Sequence, residues 1–172
     1  MNQLELLTAY RCPRYEDFPA IPLYKDQVVS FLTQAVAPFY DGEQAPVTAA
    51  MINNYVKLRI LPPPVKKRYN RTHLCHLIII CLLKQVVSIS EIRALLAIQT
   101  QSYPFPKAYD YFCTELEKAL WAAFSTRDFS APSSASHVTP ESELVRSAAM
   151  CFASKMFTVK FLELNERWKA ER

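Results

Sequence analysis

Glycine is almost missing from this chain: Gly42 is the only one in 172 residues. Sheet-rich folds and phosphate-cradling loops use several glycines for tight turns and close backbone approach. Their scarcity favours helices joined by loops, and twelve prolines are present to interrupt them. Long apolar runs are also missing. The longest, Leu77 to Leu83, is seven residues, against the roughly 20 needed to span a bilayer. Met1 to Ala20 mixes charged and apolar residues with no signal-peptide pattern. The expectation is a soluble, cytoplasmic protein with no membrane partner. No CxxC pair occurs among the cysteines at 12, 75, 81, 113 and 151, which reads as reduced, buried thiols.

Acidic residues are wholly missing between positions 44 and 90, where Lys57, Arg59, Lys66, Lys67, Arg68, Arg71 and Lys84 give a charge of +7. Residues 1–43 sum to −3 and residues 91–172 to zero. The net positive charge is thus concentrated, with six of the seven cations between 57 and 71. A solvated face normally intersperses Asp and Glu, whereas an unbroken basic patch is the footprint of a polyanion site. Catalytic signatures are missing as well: there is no G-x-S-x-G elbow and no HExxH. His73, Cys75 and His76 lack a convergent fourth ligand nearby in sequence. No enzyme activity, cofactor or metal is expected.

What is present reads as an all-α protein. Residues 1–24 carry Pro13, Pro19 and Pro22 and read as an extended lead-in. Val28, Val29, Leu32, Ala35, Val36 and Phe39 share one face of a helix starting near Asp26. Asp41-Gly42 marks a turn. Thr48 caps a second helix that Pro62-Pro63-Pro64 must terminate. Val65 to Asn70 is a short basic loop with a strand-like pair, and Thr72 caps a third helix. Ser88 with Glu91 has capping-box spacing for a fourth. Helices over about 107–124 and from Pro140 to about Trp168 follow, with Trp121 and Trp168 read as core. Residues 125–139, rich in Ser, Ala and Pro, read as a flexible connection. The expected organisation is a lead-in (1–24), a helix-turn-helix module (25–98) and a C-terminal helical region (107–170).

A short capped helix beside a basic loop is the arrangement a major-groove reader needs. Thr48, Ala50, Asn53, Asn54 and Lys57 are the exposed candidates on that helix. Asn is one of two side chains that pair bidentately with adenine. Arg59, Lys66, Lys67, Arg68 and Arg71 would follow phosphates. Tyr69 either packs on the sugar–phosphate edge or pins the loop to the body. The duller alternatives are a turn-capping role for the two asparagines and simple solvation for the loop.

The run Thr48-Ala49-Ala50-Met51-Ile52-Asn53-Asn54-Tyr55, then Leu58-Arg59-Ile60-Leu61-Pro62, resembles the reading helix of MerR-type regulators. Lys67-Arg68-Tyr69 stands at the end of a wing, and Asn53 stands where that family usually carries arginine. Met51 to Lys57, the Leu61-Pro62-Pro63 turn and the Lys66-Lys67-Arg68-Tyr69 loop also resemble an uncharacterised domain family of low-GC Gram-positive bacteria, over about residues 24–96. The MerR resemblance implies double-stranded DNA as partner, a transcriptional role, and a homodimer through the C-terminal helices with an effector still to be found. The alternative is a protein-interaction adaptor that keeps the helix-turn-helix shape without DNA.

Overall fold

The computed structural model describes residues 3–40, 42, 44–130 and 132–170, with residues 3 and 166–170 as backbone only. Seven α-helices and one two-stranded ribbon occur among them. The helices are α1 (Gln3–Thr8), α2 (Lys25–Ala35), α3 (Ala49–Lys57), α4 (Arg71–Leu83), α5 (Ile89–Ser102), α6 (Phe105–Trp121) and α7 (Pro140–Ala170). Strand β1 (Leu23–Tyr24) pairs antiparallel with β2 (Arg68–Tyr69), Leu23 opposite Tyr69 and Tyr24 opposite Arg68. No helix among the described residues is long and apolar enough to cross a membrane.

Local chemistry explains most boundaries. Thr48 accepts the Met51 amide at the head of α3, and Ser88 and Glu91 form the reciprocal box at the head of α5. The α4 cap lies two residues before the expected one. Asn70 Oδ1 accepts the His73 amide, while Thr72 sits inside the first turn. The helix expected to run to Phe39 ends at Ala35, where a 3-10 turn over Ala37–Phe39 takes over around Pro38. Its inward face is as expected, with Val28, Leu32, Val36 and Phe39 buried. Gly42 has a φ of +88°, while Asp41 lies outside the described residues.

α4 is the axle of the molecule. Ten of its thirteen residues are buried, so it has no solvent face. It touches α2, α5, α6, α7, β2 and the 3-10 turn at Tyr15–Asp17. The buried apolar residues form one cluster from Leu7 to Met156, so the core runs through the 25–98 segment and the C-terminal helices alike.

Three expectations need correction. Residues 1–24 are not a plain extended lead-in: α1 forms there, and Leu7, Tyr10, Cys12 and Phe18 enter the core. That segment is strapped to α6, with Arg14 bidentate on Glu117 at 2.8 and 3.0 Å. The Glu117 carboxylate also accepts the Cys12 amide at 2.9 Å, and Tyr109 donates its hydroxyl to the Pro13 carbonyl at 2.8 Å. Trp121 is not core but about half exposed; the side chain of Trp168 lies outside the described residues. The 125–139 connection is tethered rather than free. The Ser134 amide and hydroxyl bind the buried Glu115 carboxylate, Lys118 holds the Pro132 carbonyl, and Phe129 meets Phe157 edge-on. Most of these anchors are polar bonds, which leave no mark in the hydropathy pattern.

Candidate nucleic-acid interface

β1, α2, α3 and a hairpin at 65–68 follow one another in the chain ahead of α4, and Tyr24, Lys25, Asn53, Lys57 and Lys67 from these four segments line one open groove. α3 is nine residues long and buries Ile52 and Tyr55. That choice of inward face turns Ala50, Asn53, Asn54 and Lys57 to solvent, with Thr48 half-buried at the cap. The helix closes in a Schellman arrangement. Ile60 N–H reaches the Tyr55 carbonyl at 3.1 Å and Arg59 N–H the Val56 carbonyl at 3.1 Å. Arg59 occupies the left-handed position of that motif at φ 56°, where glycine is the usual occupant.

Three prolines lead into the hairpin. Val65 and Arg68 exchange both backbone bonds, at 3.1 and 2.9 Å, leaving Lys66 and Lys67 as a two-residue tip. Their φ values are +49° and +63°, the pattern of a type I′ turn, which Asn-Gly normally supplies. Among the described residues, four non-glycine residues have positive φ, and three of them are Arg59, Lys66 and Lys67. All three are exposed. The left-handed region costs an ordinary L-residue about 1–2 kcal/mol, so the fold holds three cations in backbone that disfavours them.

The hairpin is fixed from below. Tyr69 is buried and packs edge-on against His73 at 5.4 Å. His73 Nε2 donates to the Pro63 carbonyl at 3.2 Å, and its Nδ1 accepts the Asn70 amide at 3.1 Å. Burial pushes the His73 pKa below its ordinary value and raises that of the Tyr69 phenol. Arg68 lies 4.3 Å over the Tyr24 ring and donates to its hydroxyl at 2.7 Å.

An open groove of about 850 Å³ runs between α2, α3 and the hairpin, and Lys25, Asn53, Lys57 and Lys67 all face it. Two expected contact residues are committed elsewhere, although Tyr69 lines the groove from below. Tyr69 is committed to the core and takes the pinning role, not a sugar–phosphate one. Arg71 is paired with Glu16 and donates Nε to the Phe18 carbonyl at 2.9 Å, so its charge is spent holding the lead-in. Two groove residues had no signal in the local sequence. Lys25, whose ammonium donates to Asn53 Oδ1 at 2.6 Å, and Asp26 come to the groove because β1 pairs with β2. Asn54 and Lys57 remain outward-facing, as do Lys66 and Lys67 at the tip.

The residues that suggested a metal cluster have separate partners. Cys75 is fully buried, and burial raises its thiol pKa. His76 stacks on Phe105 at 4.3 Å with Nδ1 on the Thr72 carbonyl. Among the described residues no group of His, Cys, Asp or Glu is placed to hold a metal ion.

Comparisons with curated proteins and with solved structures give no match. A family model described as Domain of unknown function (DUF1836) matches residues 13–112, more than half of the chain. That span begins at the Pro13–Arg14 strap, contains the whole exposed basic face, and ends inside α6. The chain belongs to the DUF1836 family.

Proposed function

We propose that this chain is a cytoplasmic DNA-binding transcription regulator, without enzyme activity, that reads duplex DNA through α3 and the 65–68 hairpin. The observation that carries the reading is the trio of exposed cations in left-handed backbone, Arg59, Lys66 and Lys67, flanking a helix whose outward face is Asn53, Asn54 and Lys57. Asparagine or glycine would fit those backbone positions at less cost. Keeping lysine and arginine there has a use if the charges meet phosphates.

The order β1, α2, α3, hairpin, α4, α5 supports a MerR-like winged arrangement, with α3 as reading helix and the Lys66–Lys67 tip as a short wing. In this reading Asn54 reaches base edges, while Asn53 is oriented by Lys25 and reads or positions from there. Arg59, Lys66, Lys67 and Arg68 contact phosphates. Thr48 and Ala50 approach the backbone at the head of the helix. A homodimer would place two reading helices one DNA turn apart. The exposed Trp121, Phe161 and Leu162 on α6 and α7 are the apolar surface available for it.

The test is selection from random duplex DNA with the full chain, followed by affinity against salt on the selected site. Four to six phosphate contacts per protomer give a log–log slope near −0.9 for each contact. Asn54→Ala should flatten sequence preference by about 1–3 kcal/mol at one base position. Lys57→Ala should weaken binding to every sequence. Failure to enrich any site, together with salt-insensitive binding, would sink the regulator and favour the protein-interaction adaptor.

A further inference from the structure

A second cleft, of about 710 Å³, is lined at one end by Thr48, the cap of α3, and Met51 within it, and at the other by Met156, Val159 and Lys160 of α7. We propose that it is a binding site for a small acidic amphiphile: a compact carboxylate or phosphate head on a short apolar body. Its volume lies within the roughly 300–1,000 Å³ typical of small-molecule sites.

The cleft has an apolar wall and a cationic rim. Phe39 and Met156 are nearly fully buried beneath it, and Met51 lies alongside. Thioether side chains adapt to varied ligand shapes, which suits an aliphatic body. Three ammonium groups border the same space, those of Lys84, Lys155 and Lys160. Among the described residues only Glu163 answers them, and it is bound to Lys160 at 2.9 Å. Lys84 donates to the Pro46 carbonyl at 2.5 Å and Lys155 to the Gln85 carbonyl at 2.6 Å. Main-chain carbonyls solvate an ammonium group but do not neutralise it. The described residues of the rim therefore carry an excess of two positive charges beside low-dielectric walls, where an incoming anion is attracted more strongly than in open water.

The connectivity gives the site a consequence. Lys84 caps α4 and holds the carbonyl of Pro46, two residues before Thr48, the cap of α3. An anion that draws Lys84 away from Pro46 loosens the entry to α3. Thr48 itself lines both this cleft and the proposed DNA face. Occupancy therefore weakens DNA binding; this coupling rests on the DNA-reading proposal, whereas the ligand site does not.

The test titrates the full chain by calorimetry with octanoate, octyl phosphate and, as the uncharged control, octanol. Saturable binding of at least one anion is expected, at least tenfold tighter than octanol, and the tighter of the two heads identifies the chemistry. Lys84→Met and Lys155→Met keep the apolar stem and remove the charge. Each should weaken anion binding fivefold or more while far-ultraviolet circular dichroism stays unchanged. With methionine methyls labelled with carbon-13, Met51 and Met156 should shift on titration and Met150 should not. The site is overturned by any of three results: no saturable binding at millimolar ligand, equal affinity for octanol, or affinities untouched by both substitutions. On the selected duplex, saturating anion should raise the DNA Kd about fivefold or more, in the range of ordinary coupling between sites. An unchanged DNA Kd with intact calorimetry overturns the coupling alone. A chain that binds no DNA with or without anion overturns the regulator reading, and calorimetry still decides the ligand site.

Discussion

Replacing the hairpin tip with the residues its backbone asks for, Lys66→Asn with Lys67→Gly, should make the protein more stable and a poorer DNA binder. Both lysines sit at positive φ, 49° and 63°, and each costs about 1–2 kcal/mol relative to ordinary backbone. Asparagine tolerates the left-handed region better and glycine enters it freely. Glycine returns about 0.5–1 kcal/mol of that gain through the greater freedom of the unfolded chain. The net expectation is about 1–2 kcal/mol of added stability. In a chain of this length each kcal/mol moves Tm by about 2–4 °C, so calorimetric melting should rise by about 2–8 °C. On DNA the same variant loses two candidate phosphate contacts, and the slope of log affinity against log salt should fall by about 0.9 for each. Arg127→Gly is the control. It relieves another left-handed residue, at φ 57°, away from the basic face, and should leave the salt slope alone. A Tm that stays or falls in the hairpin variant would refute the strain argument. A salt slope that stays constant would refute the phosphate role, and neither outcome depends on the other.

Three further outcomes follow from the packing. His73 and His76 both have pKa values pressed below 6.5 by burial. The unfolded chain therefore takes up protons that the folded chain refuses, and stability complete above pH 6.5 declines as pH falls toward the folded values. Urea midpoints at pH 7.5, 6.0 and 5.0 should decline in that order, and less steeply in His76→Phe, which keeps the stack on Phe105; an identical slope would exonerate His76. Glu117→Gln removes the charge that holds Arg14 and gives the donating Cys12 N–H a weaker acceptor than the carboxylate. It should cost about 1–3 kcal/mol and open residues 11–14 to limited proteolysis; an unchanged digestion pattern would refute the strap. Leu77→Ala, at a fully buried position of α4, should cost about 2–5 kcal/mol in denaturant unfolding, whereas Cys151→Ser, on the surface, should stay within about 0.5 kcal/mol.

The helical plan is legible because caps and prolines are local signals. Thr48, Ser88 with Glu91, and Pro62-Pro63-Pro64 act within three or four residues of themselves. Asn70 and Thr72 are both residue types that cap helices, and only backbone geometry selects the first. The lead-in hides its structure for a different reason. Leu7, Tyr10, Cys12 and Phe18 have no helical or strand period, since Tyr10 packs on Phe39 while Cys12 and Phe18 meet Tyr109 of α6. The basic loop is visible as charge, but not its conformation, because lysine carries no left-handed propensity to betray a type I′ tip. Tyr69 and Arg71 sit in the same charged run as Lys66 and Lys67. Distant partners, Leu23 across the ribbon for Tyr69 and Glu16 for Arg71, commit them to the body of the protein, and no local pattern encodes such partners. The cleft beneath α7 is invisible in the sequence, since it joins Phe39, Lys84 and Lys155 across more than a hundred residues of chain.

α4 bears on how the chain is made as well as on what it does. A helix apolar on every side cannot hide itself by lying on one neighbour. During synthesis, residues 71–83 leave the ribosome well before α6 and α7, whose Phe112, Leu116 and Phe152 complete the core around it. At about 5–20 residues per second, translating from the end of α4 to Phe152 takes several seconds. For that interval the most apolar stretch of the chain is without its full cover. The nascent protein is therefore an evident client for a ribosome-bound chaperone. A chain terminated after α5 would carry a bare rod that favours self-association, however complete its basic face.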